Sequence, residues 1–282
     1  MKILSNCHTH TDFCDGLHSA REMVETAVAL GFRSLGFTSH APQYFDLPYA
    51  IAPEKEGEYQ RELRALREEF QGRIRLHIGI ERDFFSFADP SHYDYWIASV
   101  HYIPFRGRFY SVDGKPEELY ALCQSAFGGD GLALARAYYD LLTAYAVSYR
   151  PPIVGHFDLI KKNNARLSLF DSSSPAYEEI VRNSLRTIAK CTSMLEVNTG
   201  GMARGYLQEP YPSSDILRIW QSLGGRVIAS SDCHDKALMD YAFDQLPGYL
   251  EEAGFDGISV LGCGDALFEA YPLSAHEIPF QK

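Results

Sequence analysis

The sequence predicts an α/β fold in which successive βα units wind a parallel sheet into a barrel, and three observations carry that expectation. Short apolar runs alternate with longer helix-periodic stretches from one end of the chain to the other. The long connections, Ala41 to Pro53, Phe84 to Tyr95, Ile103 to Pro116 and Gly200 to Pro212, each follow a strand, as they do on the face of a β/α barrel that carries chemistry. No repeat, low-complexity tract or polar linker divides the chain, so residues 1–282 read as a single domain.

Seven strands are expected: Lys2 to Cys7, Ser34 to Thr38, Arg75 to Ile80, Trp96 to Val100, Ile153 to Gly155, Met194 to Val197 and Arg226 to Ser230. Between the first two, Ser19 with Glu22 three residues on forms a capping box; Met23, Ala27 and Leu30 follow at helical spacing, and Gly31 closes the helix. From Glu54 to Gln71, Tyr59, Leu63, Leu66 and Phe70 make one apolar stripe among charges. A longer helix is expected from Leu132 to Tyr149, stopped by Pro151 and Pro152. Ser174 and Pro175 open another, carried on by Ile180, Val181, Ser184, Leu185 and Ile188. A last one runs from Ser213 through Ile216, Leu217 and Trp220 to Gly224. The tail from Phe255 onward receives no assignment.

Composition narrows the function. With 46% hydrophobic and 22% charged residues the chain has material for a large core, which excludes disorder and small stapled scaffolds. Its formal charge of −11 repels nucleic-acid backbones and anionic membrane surfaces, while a local cluster of cations could still receive a small phosphorylated molecule. No run of apolar residues is long enough to span a bilayer, and MKILSNCHTH has no secretory signal. Cys7, Cys14, Cys123, Cys191, Cys233 and Cys263 form no CxxC pair and read as small buried hydrophobes in a reducing, cytoplasmic setting.

The strand ends are the informative feature. In order they finish in His8 and His10, His40, Glu81, His101, His156, Asn198, and Asp232 with His234. Histidine is 10 of 282 residues, so accident would place it at fewer than one of seven ends; five carry one. The carboxyl ends of parallel strands converge on one rim, and alternate residues of a strand share a face, so His8 and His10 can grip the same ion. Imidazole and carboxylate suit zinc, iron and manganese, and without an ion such a cluster would leave buried polar groups unpaired at about 1 to 3 kcal/mol each.

The strings HTHTDFCDG at 8 to 16, GFTSHAP at 36 to 42, GIE at 79 to 81, SVH at 99 to 101, GHFD at 155 to 158 and SSDCH at 230 to 234 together resemble the polymerase and histidinol phosphatase (PHP) superfamily. SHAP within GFTSHAP, and EPYPS at 209 to 213, look most like its histidinol-phosphate phosphatase branch. The resemblance implies a distorted (β/α)7 barrel of the TIM type holding three divalent ions. Carried over position by position, the implied ligands are His8, His10, Asp15, His40, Glu81, His101, His156, Asp232 and His234, with Glu81 bridging two ions. Relatives often place a histidine where this chain has Gly16; Asp15 and His18 are the available substitutes, and Asp15 is favoured.

Three such ions, set against Asp15, Glu81, Asp232 and one bridging hydroxide, leave a net charge of about +2, which matches a phosphomonoester dianion. The expected reaction is in-line attack at phosphorus by a hydroxide held between ions near Glu81 and Asp232. No leaving-group acid is evident beyond His18. Arg204, Lys161 or Lys162, and Asn198 are candidate substrate contacts. Asp158 is expected either to orient His156 or to cap the segment after it, Trp96, Tyr102, Tyr110 and Tyr211 to wall a pocket or pack, and His77, His92 and His276 to be structural or solvated. The rivals are a PHP phosphoesterase acting on nucleotides and a non-catalytic metal-binding barrel; the lysine of amidohydrolase barrels is absent, His101 standing at the fourth strand end.

Overall fold

All seven expected strands form in the computed structural model, which describes residues 2–192 and 194–275; His276 lies outside the described residues. The chain enters through β1 (Ser5–Asn6), β2 (Ser34–Phe37), β3 (Arg75–Asp83) and β4 (Tyr95–Ser99). A separate hairpin, β5 (Tyr102–Phe105) and β6 (Arg108–Ser111), then precedes β7 (Ile153–Val154), β8 (Met194–Asn198) and β9 (Arg226–Ser230). The tail supplies β10 (Gly257–Leu261), parallel to β9, and β11 (Phe268–Pro272), antiparallel to β10. The sheet order is β1-β2-β3-β4-β7-β8-β9-β10-β11, so neighbours in sequence are neighbours in space.

The sheet curls until its two ends meet. Thr9, just past β1, pairs in parallel with Cys233, just past β9. Ser34 Oγ donates to Leu261 O at 2.7 Å, and Leu261 N donates to Ser5 Oγ at 3.2 Å, fastening β1 and β2 to β10. This is a distorted TIM-like barrel, to which the unassigned tail contributes a closing strand and a cover.

Two strand signals were hidden. Arg106 (φ 50) and Gly107 (φ 77) make the two-residue turn that suits a hairpin twist, but Pro104 inside β5 argues locally against a strand. GISVL in β10 is an ordinary apolar strand run whose pairing only the barrel reveals.

The helices cover the sheet. Ser19 and Glu22 make the expected capping box at α1 (Ala20–Ala29), and α2 (Glu56–Glu69) buries Tyr59, Leu63 and Leu66. α3 (Pro116–Phe127) occupies a segment read with no element; Pro116 in its first turn and Gly128 (φ 61) at its end are its start and stop signals. α4 (Gly131–Tyr149), α5 (Lys161–Leu167), α6 (Pro175–Ile188), α7 (Gly200–Ala203), α8 (Ser214–Ser222) and α9 (Leu246–Glu252) follow. Among the described residues no helix is long and apolar enough to cross a membrane. Inside the barrel Cys7, Tyr95, Ile97, Ile153, Met194, Ile228 and Leu261 form a separate apolar plug, the floor on which the strand ends stand.

Candidate metal centre

Strand pairing assembles the cluster. His40 and Glu81 are direct parallel partners, with Ala41 N donating to Glu81 O at 2.8 Å and Glu81 N to Ser39 O at 3.2 Å. The Thr9–Cys233 pair does the same for β1 and β9: His10 N donates to Cys233 O at 3.0 Å, so His8 and His10 face Asp232 and His234. Asp232 sits in the left-handed region (φ 48), a conformation that Asp tolerates better than most residues and that turns the chain at the mouth.

Glu81 is the hub. Its Oε2 lies 2.7 Å from His40 Nδ1, 3.2 Å from His8 Nε2 and 3.7 Å from His10 Nε2; its Oε1 lies 2.9 Å from His156 Nε2 and 3.3 Å from His101 Nε2. Asp232 Oδ1 lies 3.1 Å from His10 Nε2 and 3.7 Å from His8 Nε2. Asp15 Oδ1, nearer the surface, lies 3.2 Å from His234 Nε2, 3.5 Å from His40 Nε2 and 4.0 Å from His10 Nδ1. Three groupings of donor atoms could each hold an ion: His8, His10 and Asp232; His40, Glu81 and His101; and His10, Asp15, His40 and His234.

The residues fit metal ions by a test of geometry. His8 Nε2, His10 Nε2 and Glu81 Oε2 are buried and make no hydrogen bond. Two ligands each about 2.1 Å from one ion at tetrahedral angles stand about 3.4 Å apart. Those atoms and Asp232 Oδ1 are separated by 3.1 to 3.7 Å, the edge lengths of a coordination polyhedron, with hydrogen-bond alignment missing. Orphaned polar atoms at this depth would otherwise be destabilising.

Electrostatics agree. Against the desolvation that favours the neutral acid, His40, His8 and His101 hold the Glu81 carboxyl well below its usual range. Desolvation likewise opposes, and Arg204 and His8 outweigh it, at Asp232, which is also well below. His10 goes the other way: burial and the neighbouring His234 and His40 rings push its pKa well down, leaving a neutral imidazole. Against desolvation, the facing carboxylates push His8, His101 and His234 upward, so protons there stand where a bound cation would displace them.

Two supporting carboxylates escape the sequence reading. Glu196, fully buried on β8, accepts from His8 Nδ1 at 2.5 Å, from His156 N at 2.8 Å and from Asn198 Nδ2 at 3.0 Å. Asp83 Oδ2 accepts from His101 N at 2.8 Å and lies 3.3 Å from His101 Nδ1. Each fixes an imidazole so that its Nε2 points at Glu81. The only sequence signal is strand alternation: Asp83 stands two residues after Glu81, and Glu196 two before Asn198.

Other expected residues separate cleanly. His18 turns away to Asp235 Oδ1 (3.1 Å) and Glu22 Oε1 (3.7 Å), so Asp15 is the one brought to the cluster. A side chain at position 16 has no room: a Cβ on Gly16 would stand 2.6 Å from the backbone nitrogen of Thr11. Arg204 reaches the mouth, with Nη2 3.1 Å from Asp232 Oδ2 and Nη1 3.1 Å from Asp232 O. Lys161 is held between Asp158 (3.6 Å) and Glu209 (3.7 Å), and Lys162 by Asp113 at 3.3 Å. Asn198 is fully buried, donating to Glu196 and Asp232 and accepting from Gly200 N, which places it behind Asp232.

Asp158 accepts from Ser213 N at 3.1 Å, so it ties β7 to the start of α8. His77 bonds Gly262 O at 2.9 Å and His92 is exposed. Trp96 packs near Tyr145, and Tyr211 stands 6.4 Å from the His156 ring. Tyr102 is buried with its hydroxyl on Asp46, and Tyr110 is partly buried on β6. Tyr49, not singled out from sequence, stacks on His40 at 3.8 Å and walls the mouth.

The model of the PHP domain matches residues 6–200, more than half of the chain. The chain belongs to the PHP domain family. A "probable histidinol-phosphatase" of Deinococcus radiodurans is 28% identical over 265 residues, covering 90% of this chain and 95% of the relative. The histidinol-phosphatase of Bacillus subtilis is 26% identical over 260 residues, covering 84% of this chain and 96% of its own. Among solved structures, histidinol phosphate phosphatase from Lactococcus lactis, complexed with zinc, L-histidinol and phosphate, superposes with a TM-score of 0.70 at 23% identity, covering 92% of this PHP chain and 97% of that one. The fold match therefore spans more of the chain than the domain model does.

Proposed function

We propose that this chain is a metal-dependent phosphomonoester hydrolase whose substrate is L-histidinol phosphate, acting in a reducing cytoplasm where its six cysteines stay free. The observation that carries the reading is Glu81, buried and facing five imidazoles with both oxygens, on a chain that aligns over nearly its whole length with histidinol-phosphatases. The nine ligands would be His8, His10, Asp15, His40, Glu81, His101, His156, Asp232 and His234, holding three ions of zinc, iron or manganese; the donor groupings, which share His10 and His40 and leave out His156, support a cluster of ions.

When bound, such ions would supply a water-derived nucleophile near neutral pH for in-line displacement at phosphorus and would screen the phosphoryl charge. The chain's own residues do the positioning. Glu81 and Asp232 concentrate negative charge at the floor, while Glu196 and Asp83 lock the His8 and His101 rings. Arg204 sets a guanidinium beside Asp232 and His234 at the mouth, where it can meet phosphoryl oxygens. Arg204, Lys161 and Asn198 are all engaged within the protein, but Arg204 pairs with Asp232 at the mouth and keeps 32% of its side chain exposed, against 17% for Lys161 and a fully buried Asn198, which makes it the strongest candidate contact.

Steady-state kinetics over a panel of phosphomonoesters, nucleotides included, tests this. Histidinol phosphate is expected to have the highest kcat/KM, with loss of turnover on chelation and two to three ions per chain. An unrelated ester turned over about a hundredfold better would overturn the substrate. Fewer than about one ion per chain after mild dialysis would favour the non-catalytic barrel.

A further inference from the structure

The β5–β6 hairpin delivers to the rim a carboxylate that neither the metal cluster nor its supports use. Val112 N donates to His101 O at 2.8 Å, which fixes Asp113 next to a ligand-bearing strand end. Asn163, buried on α5, donates through Nδ2 to Val112 O at 3.0 Å and Gly114 O at 3.1 Å, clamping the chain on both sides of Asp113. Ser111 Oγ donates to Asp113 Oδ1 at 3.1 Å and accepts from Gly114 N at 2.8 Å. Lys162 Nζ lies 3.3 Å from Asp113 Oδ2, its stem steadied by the Tyr206 ring 4.6 Å from the ammonium.

Asp113 is thus preorganised and still reachable, with 24% of its side chain exposed. Against the desolvation of its site, Lys162, His101 and His156 hold its carboxyl low, so the group carries its negative charge. A carboxylate offers about four lone-pair positions, and here one goes to Ser111 and one to Lys162. Asp15, Glu81 and Asp232 belong to the cluster, and Asp83 and Glu196 stand behind imidazoles. Asp113 has capacity left for a cation that approaches the rim beside the end of β4.

We infer that Asp113 is a specificity-determining residue that receives an ammonium group on the organic part of the phosphate ester. The inference rests on the phosphomonoesterase reading and adds to it the recognition of an amino alcohol. It excludes the alternative in which Asp113 serves only to hold Lys162.

Two measurements on metal-loaded protein test it. The first is the ratio of kcat/KM for histidinol phosphate to that for its analogue without the amine, in wild type and Asp113→Asn. The ratio is expected to fall about 10- to 100-fold, the range of one lost charge-assisted bond. An unchanged ratio, whether both esters suffer equally or neither does, overturns the inference. The second is calorimetric binding of L-histidinol, with metal content checked in both proteins: weaker binding by Asp113→Asn, by about tenfold or more, supports it, and equal affinity or no binding by wild type overturns it. Should wild type hydrolyse neither ester, the hydrolase reading falls, and the L-histidinol affinities still decide Asp113.

Discussion

Glu196 shows how much of the centre is decided one atom behind the ligands. Its carboxylate reaches His8 Nδ1 across 188 positions of sequence and leaves Nε2 facing Glu81. Replacing it by Gln keeps the volume but removes the charge that holds the ring, so metal affinity measured by chelator competition is expected to fall about 10- to 100-fold in Glu196→Gln. Asp83→Asn should weaken the His101 position in the same way. Unchanged affinity in both would mean that the rings are held by packing alone. Most of the proposed ligands were legible because a histidine or acid follows nearly every strand, while Asp15, in the loop after β1, came from the resemblance alone. Glu196 and Asp83 were not legible: Glu196 is interior to β8, and β3 runs three residues past the expected end at Ile80, so Asp83 closes a strand that the sequence reading had already ended.

At the scale of elements, the helix starts at Ser19 and Ser174 were legible, since a cap is written within four residues, while the start of α3 at Pro116 went unread. Ser19 and Glu22 bond reciprocally as their spacing implies, and Glu22 also receives Lys236 at 2.8 Å, tying α1 to the loop after β9. Ser19→Ala is expected to cost about 1 kcal/mol in chemical denaturation. Lys236 and Ser19 lower the Glu22 pKa from 4.5 to about 2. A depressed folded-state value stabilises above the unfolded value and is lost as pH falls through the folded one. The stability gap between wild type and Glu22→Gln should therefore be full at pH 7 and shrink below about pH 4.5; a gap constant across that range would deny the charge any part. The β5–β6 hairpin was illegible by contrast, because Pro104 argues against a strand and only the pairing with Arg108–Ser111 answers it.

For the whole molecule, one sheet runs from Ser5 to Pro272, and the proposed ligands come from six of its strands and the loops just past them. Ions there would cross-link the barrel, so chelation is expected to lower Tm by about 10 °C, as for a site at a thousandfold its Kd in a chain of this size. We expect unfolding of the loaded protein in a single transition, consistent with one domain; two separated transitions in calorimetry would divide it. Ser34→Ala should lose about 1 to 3 kcal/mol by stranding the buried Leu261 carbonyl where the sheet closes.

Order along the chain settled which chemistry this protein carries: seven strands, a histidine or acid after nearly every one, and a topology that seats sequential strands side by side. That much is local, because strand periodicity and residue type need only a few neighbours to be expressed. Folding in three dimensions chose Asp15 over His18, placed Glu196 and Asp83 behind the rings, brought Asp113 to the rim and gave the tail its place. Those outcomes depend on lateral register and on the path of loops between distant strands, and contacts made across a barrel leave no pattern in any single stretch of chain.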